Sequence, residues 1–144
     1  MYKKILLAYD GSDAGQQALL DCKEIAQMEQ SELHLLAVIS FSFNGAMGVD
    51  IPIKEVEELD HARLSAVLEL GIKKLNDMGV KATGTIRRGG PVDEIVKYVR
   101  EQSIELVVVG HKHKDRWLER WWGGSLSKAL IEESPCSVLV VITC

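Results

Sequence analysis

The stretch that decides the fold is KKILLAYDGSDAGQQALLDCKEIAQM, Lys3 to Met28. Ile5 to Tyr9 is an unbroken apolar run, and DGSD stops it. A short apolar run closed by turn residues reads as a strand buried on both faces. From Ser12 the pattern changes: Ala14, Ala18, Cys22 and Ile25–Ala26 recur at helical spacing. Ser12 is the expected N-cap of a helix reaching about Met28. Strand, tight turn, amphipathic helix is half of a βαβ unit, and the remaining sequence repeats it.

ELHLLAVI, Glu32 to Ile39, is a second buried strand. SFSFNGAMGVDIPIKEVEE follows, a long loop rich in glycine that suits a lid or a surface excursion. An amphipathic helix is expected from Lys54 to about Met78, with Val56, Leu59, Leu64, Val67, Leu68, Ile72 and Leu75 on its apolar stripe. Val80 to Arg87 is a third strand. PVDEIVKYVREQS is a helix with Pro91 in its first turn. ELVVVG is a fourth strand ending at Gly110, Ser125 to Ser134 a fourth helix, and SVLVVIT, Ser137 to Thr143, a fifth strand. Alternating apolar strands and helices specify an α/β fold, an open five-stranded parallel sheet with helices on both faces.

The 144 residues fit one domain, 1–144. Apolar residues make up 47% and charged residues 26%, which excludes wholesale disorder. The net charge of −4 argues against a nucleic-acid partner. The apolar start turns polar at Asp10, too soon for a signal segment or a membrane span. Three cysteines without a spacing pattern read as reduced thiols of a cytoplasmic protein, with Cys22 and Cys136 as packing residues.

In such a sheet ligands sit beyond the carboxyl ends of the strands. The first strand leads into Tyr9, Asp10, Gly11 and Ser12, and the second ends at Val38 and Ile39. Arg87 and Arg88 close the third, where a solvated strand end is the simpler reading than a phosphate site. After the fourth comes VVVGHKHKDRWLERWWGGSLSKAL, Val107 to Leu130. A dinucleotide G-x-G-x-x-G, a Walker A loop and a G-x-S-x-G elbow are all absent. Gly123, Gly124 and Ser125 enter a helix whose first amides suit an anion. His111 and His113 lack a third metal ligand, so no metal site is assigned. Trp117, Trp121 and Trp122 are expected to pack against the sheet rim or a partner. His34, between leucines, is expected in the core or an interface.

The chain resembles the universal stress protein family, single-domain UspA type. The resemblance rests on KKILLAYDGSDAGQQAL, LHLLAVI, GGPVDEIVKYVREQSIELVVVG and GSLSKALIEESPCSVLVV, in that order along the whole chain. It implies a Rossmann-like fold of the adenine nucleotide alpha hydrolase kind, strand order 3-2-1-4-5. It also implies a stress-response protein that is no enzyme, with no catalytic residues, binding ATP or AMP, with Mg only alongside ATP. Carried over by position, Ala8, Tyr9, Asp10 and Val38 line the base and ribose. Gly110, His111, His113, Gly123, Gly124, Ser125 and Leu126 fall on the phosphate loop. That loop in ATP-binding members reads G-x2-G-x9-G-[ST]. Here His113 replaces its second glycine, and the closing Gly-Ser pair stands one residue late. Weak ATP binding is therefore expected. Two alternatives stay open: a family member acting through protein contacts without nucleotide, and a slow nucleotide hydrolase. The resemblance further implies a homodimer through Val138, Leu139, Val140 and Val141, whose strand carries no Pro or Lys to guard an edge.

Overall fold

The computed structural model describes residues 1–39, 53–112 and 124–143, and excludes the side chains of residues 13–14, 53–57, 112, 124–127 and 143. Nine elements alternate within it: β1 (Lys4–Ala8), α1 (Asp13–Glu29), β2 (Glu32–Ile39), α2 (Ile53–Asp77), β3 (Lys81–Arg88), α3 (Pro91–Gln102), β4 (Leu106–Lys112), α4 (Gly124–Glu133) and β5 (Ser137–Thr143). The strands form one parallel sheet in the order β3-β2-β1-β4-β5. The parallel sheet is the one expected from the alternating runs, and its strand order is the one the resemblance implies.

The side-chain period of two divides the sheet's residues between two cores. Ile5, Leu7, Tyr9, Leu33, Leu35, Ala37 and Val108 meet Ala18, Leu19 and Cys22 of α1 and Leu64, Leu68 and Leu75 of α2. Leu6, Leu36, Val38, Val107 and Val109 meet Ile95, Tyr98 and Val99 of α3 and Leu130 of α4. Helices therefore cover both faces, which is why β1, β2 and β4 read as continuous apolar runs rather than alternating ones. Each fully buried Leu or Ile contributes about 1.5–3 kcal/mol. Cys22 is one of the buried residues, and burial pushes its thiol up to about 12, the nearby Asp21 adding to the effect.

Three differences from expectation bear on the core and the site. Leu59 is 71% exposed. It precedes Leu64 by five positions, about 500° of helix at 3.6 residues per turn, and so points well away from the buried stripe. β1 closes at Ala8, one position before Tyr9. β4 does not end at Gly110 but runs on through His111 to Lys112, because β5 pairs with it there: Gly110 with Val141, His111 with Ile142, Lys112 with Thr143.

The chain steps from β1 to β2 to β3 in one direction, then resumes on the other side of β1 with β4 and β5. The reversal lies between β1 and β4, where an open parallel sheet has its crevice.

Candidate functional site

β1 is the shortest strand of the sheet, and its early end creates a notch. On one side β2 continues to Ile39, paired with Arg88 of β3. On the other, the β1–β4 ladder stops at Leu7 and Val108 while β4 continues along β5 to Lys112. Tyr9 and Asp10 lie beyond the end of β1, between the prolonged neighbours. The Tyr9 amide donates to the Leu36 carbonyl at 2.9 Å, which holds this floor to β2.

The turn that follows is tightly specified. The Ser12 amide donates to Asp10 Oδ1 at 2.9 Å, and the Gly15 amide donates to Ser12 Oγ at 3.1 Å. The second bond is the N-cap anticipated for α1, and it satisfies one of the helix's orphan donors. Gly11 stands between these two groups with φ +81°, and a Cβ there would lie 2.9 Å from Val67 Cγ1 of α2. Left-handed backbone and the pressed helix both demand glycine. Asp10 is half-buried, and among the described residues its second oxygen, Oδ2, has no hydrogen-bond partner. One carboxylate oxygen is thus spent on shaping the turn.

The candidate base and ribose residues divide by direction. Ala8 and Val38 belong to the α3/α4 face, Val38 almost fully buried there. Tyr9 is 1% exposed, and its ring is committed to the opposite core, against Gly71 and Leu35, with its hydroxyl accepting from Gln16 Nε2 at 2.6 Å. Burial pushes its phenol up, against the hydrogen bond from Gln16, with Asp10 adding to the rise. The Tyr9 side chain is therefore no wall of a ligand pocket; only its backbone borders the notch. Strand parity explains this, since Tyr9 shares a face with Ile5 and Leu7.

Gly110 and His111 occupy the carboxyl end of β4, on the far wall of the notch. Gly124, Ser125 and Leu126 form the first turn of α4, so a helix N-terminus is present where the phosphate loop would close. His113, Gly123 and the tryptophans 117, 121 and 122 lie outside the described residues, as does the segment 40–52. Arg87, expected as a solvated strand end, is instead held in place. Its guanidinium contacts Glu101 at 2.5 Å and Glu94 at 3.9 Å, and it lies 5.1 Å from the Tyr98 ring centroid. The Glu101 hydrogen bond holds its pKa above the usual value. Among the described residues no cluster could hold a metal ion, and no helix is long and apolar enough to cross a membrane.

The family model described as "Universal stress protein family" matches residues 1–141. This chain belongs to the universal stress protein family. Universal stress protein MJ0577 of Methanocaldococcus jannaschii is 32% identical over 155 residues, covering 98% of this chain and 95% of its own. Its solved structure superimposes with a TM-score of 0.82 at 28% identity, covering 100% of this chain and 98% of that one. Two more distant structures share the fold at a TM-score of 0.71. One is a universal stress protein in complex with cAMP, 21% identical, covering 99% of this chain and 98% of that one. The other is a family protein from Arabidopsis thaliana with AMP bound, 18% identical, covering 99% and 92%. The five-stranded order found here is thus that of universal stress proteins. The parity that turns Tyr9 inward is a property of the sequence itself, and it is the signal that separates this side chain from a pocket wall.

Proposed function

We propose that this universal stress protein binds an adenine nucleotide in the notch beyond β1, and that it holds AMP at least as well as ATP. The observation that carries this reading is the early end of β1, which leaves Asp10 Oδ2 at the floor between two longer strands. A carboxylate oxygen there can accept from a ribose hydroxyl or the adenine amino group. Cyclic AMP and AMP in the two related structures support an adenylate as the ligand class.

The phosphate side argues against tight ATP binding. By motif position His113 replaces the glycine whose amide would approach phosphate, and the loop is one residue longer than the motif. Each lost hydrogen bond to a charged oxygen costs roughly 1.5–3 kcal/mol. Lys112, Lys114 and Arg116 would recover little if exposed, about 0–1 kcal/mol each and less in salt. Calorimetry with AMP and ATP at low and high salt tests the reading. Measurable AMP affinity, with ATP no tighter and weakened by salt, is expected. Tight, salt-insensitive ATP binding overturns the ranking. No binding of either nucleotide overturns the proposal in favour of action through protein contacts, and ADP accumulating from ATP would point to hydrolysis.

The sheet edge supports an assembly. β5 is an edge strand, and Ile142 on it and Ile131 on α4 are 58% and 63% exposed. We propose a cytoplasmic homodimer in which β5 strands around Val138–Val141 pair antiparallel. The fold then leaves the notch and the dimer edge on separate sides of β4, so ligand and partner can be sensed together. Val140→Lys is expected to shift wild-type dimer toward monomer in sedimentation at micromolar concentration; a monomeric wild type would end this part of the proposal.

A further inference from the structure

The described residues include one buried histidine, and it serves neither the notch nor the dimer edge. His34 lies on β2, 5% exposed, on the face covered by α3. Its Nδ1 is 2.6 Å from the Tyr98 hydroxyl of α3, and the two rings meet edge to face at 5.7 Å and 71°. On the other side Nε2 is 3.0 Å from Glu32 Oε1. That contact is at ion-pair distance, yet it falls outside hydrogen-bond geometry, so it is chiefly electrostatic.

The proton inventory follows from these neighbours. An ionised carboxylate only accepts, so the neutral ring carries its hydrogen on Nε2, facing Glu32. Nδ1 is then a lone pair, and the Tyr98 hydroxyl donates to it. When the ring takes a second proton, Nδ1 becomes a donor. The Tyr98 hydroxyl must reverse, accept from Nδ1–H and find another acceptor for its own hydrogen. The bond that seats α3 on β2 is rewritten by a single proton.

Tyr98 is also the platform for Arg87, which Glu101 and Glu94 clamp to α3. Arg87 stands next to the turn Arg88–Gly89–Gly90, whose Gly89 amide donates to the Ile39 carbonyl at 3.0 Å. A disturbance at Tyr98 therefore has a continuous route through Arg87 to the end of β2, one wall of the notch.

We propose that His34 and Tyr98 form a proton-operated latch, closed when His34 is neutral and loosened when it is protonated, that sets how firmly α3 and the β3–α3 turn are held to the sheet. The groups acting on the ring are Glu32 of its own strand, Lys4 of β1, Lys81 of β3 and Tyr98 of α3. Burial lowers the His34 pKa most, Glu32 works against it, and Lys4 and Lys81 add to the lowering. A depressed value in the closed state means that protonation favours the open state. The latch is fully effective above the ordinary histidine range near pH 6.5 and is lost as pH falls below it.

Two measurements on the whole chain without any nucleotide decide the matter. The nitrogen resonances of His34 should show an unprotonated Nδ1 at pH 8 that gains a proton below pH 6.5. Amide exchange across Ile95–Val99 and at Gly89, corrected for intrinsic rates, should accelerate over the same interval. Every pH unit separating the closed and open pKa values gives a tenfold acceleration. His34→Gln should abolish the acceleration while leaving α3 folded, and Tyr98→Phe, which leaves the ring buried, should reduce it. Exchange in α3 that stays flat while His34 titrates overturns the proposal. So does a Tyr98→Phe protein with an undiminished pH step. Should both variants fail to fold, the wild-type titration and exchange profiles still separate a working latch from an inert contact.

Discussion

The β1–α1 and β3–α3 junctions stand at the same carboxyl end of the parallel strands and solve the same problem differently. Each must turn a strand into a helix and satisfy the first helical amides. The first uses side chains: Ser12 caps Gly15, and Asp10 Oδ1 accepts from Ser12. The second has Gly90 at the cap with no side-chain bond, Pro91 in the first turn, and Asp93 and Glu94 answering the helix dipole. Glu94 then packs under Gly89, whose φ is +143°, and reaches toward Arg87. The difference concerns what is left over. The first junction retains one carboxylate oxygen; the second spends the charges of Arg87 and Glu94 on each other and on Glu101. Residue type alone would rank them the other way, since paired arginines look more like a phosphate site than a lone aspartate does.

The largest expected effect tests how firmly the first junction is built. Gly11→Ala places a Cβ in left-handed backbone and against Val67 Cγ1. Left-handed strain of about 1–2 kcal/mol and overpacking of about 1–3 kcal/mol add, so chemical denaturation should show a loss of about 3 kcal/mol. A neutral Gly11→Ala would mean that α2 yields there and that the notch floor is soft. Next comes Asp10→Asn, which keeps an acceptor for the Ser12 amide but removes the charge offered at the notch. A hydrogen bond to a charged group is worth about 1.5–3 kcal/mol, so AMP affinity should fall about ten- to hundredfold with little change in stability. Unchanged affinity would detach Asp10 from the site. Ser12→Ala follows at about 1 kcal/mol, the usual value of a lost N-cap, read as a lower denaturation midpoint with AMP binding retained.

These differences also show how far local pattern reaches. The strand–helix order, the Ser12 cap and the buried run of β2 follow from it, because apolar periodicity and capping chemistry act over a few neighbouring residues. Direction is less visible. The place of Tyr9 at a strand end suggests a pocket wall, although the parity of Ile5, Leu7 and Tyr9 sends its ring into the α1/α2 core. The pairing of Arg87 is out of reach, because Glu101 lies fourteen positions away on a helix whose seating depends on the packed sheet. The extension of β4 through His111 is set by β5, another partner that no local pattern announces.

The smallest expected effect is the sharpest test of the comparison. If Glu101, Glu94 and the face of Tyr98 hold Arg87, its charge is committed to α3 rather than to a nucleotide. Arg87→Gln should then leave AMP affinity unchanged in calorimetry. It should also leave the salt dependence of any ATP binding unchanged, since a guanidinium that never meets phosphate contributes nothing to screening there. The variant does remove a stacked cation and an ion pair from α3, so its effect belongs in α3: faster amide exchange around Tyr98 and a Glu101 carboxyl that titrates at higher pH, because the Arg87 hydrogen bond is what holds it low. A fall in AMP affinity without those changes in α3 would show Arg87 reaching the ligand. The two junctions would then form one site, and the distinction between a spent and an available charge would be lost.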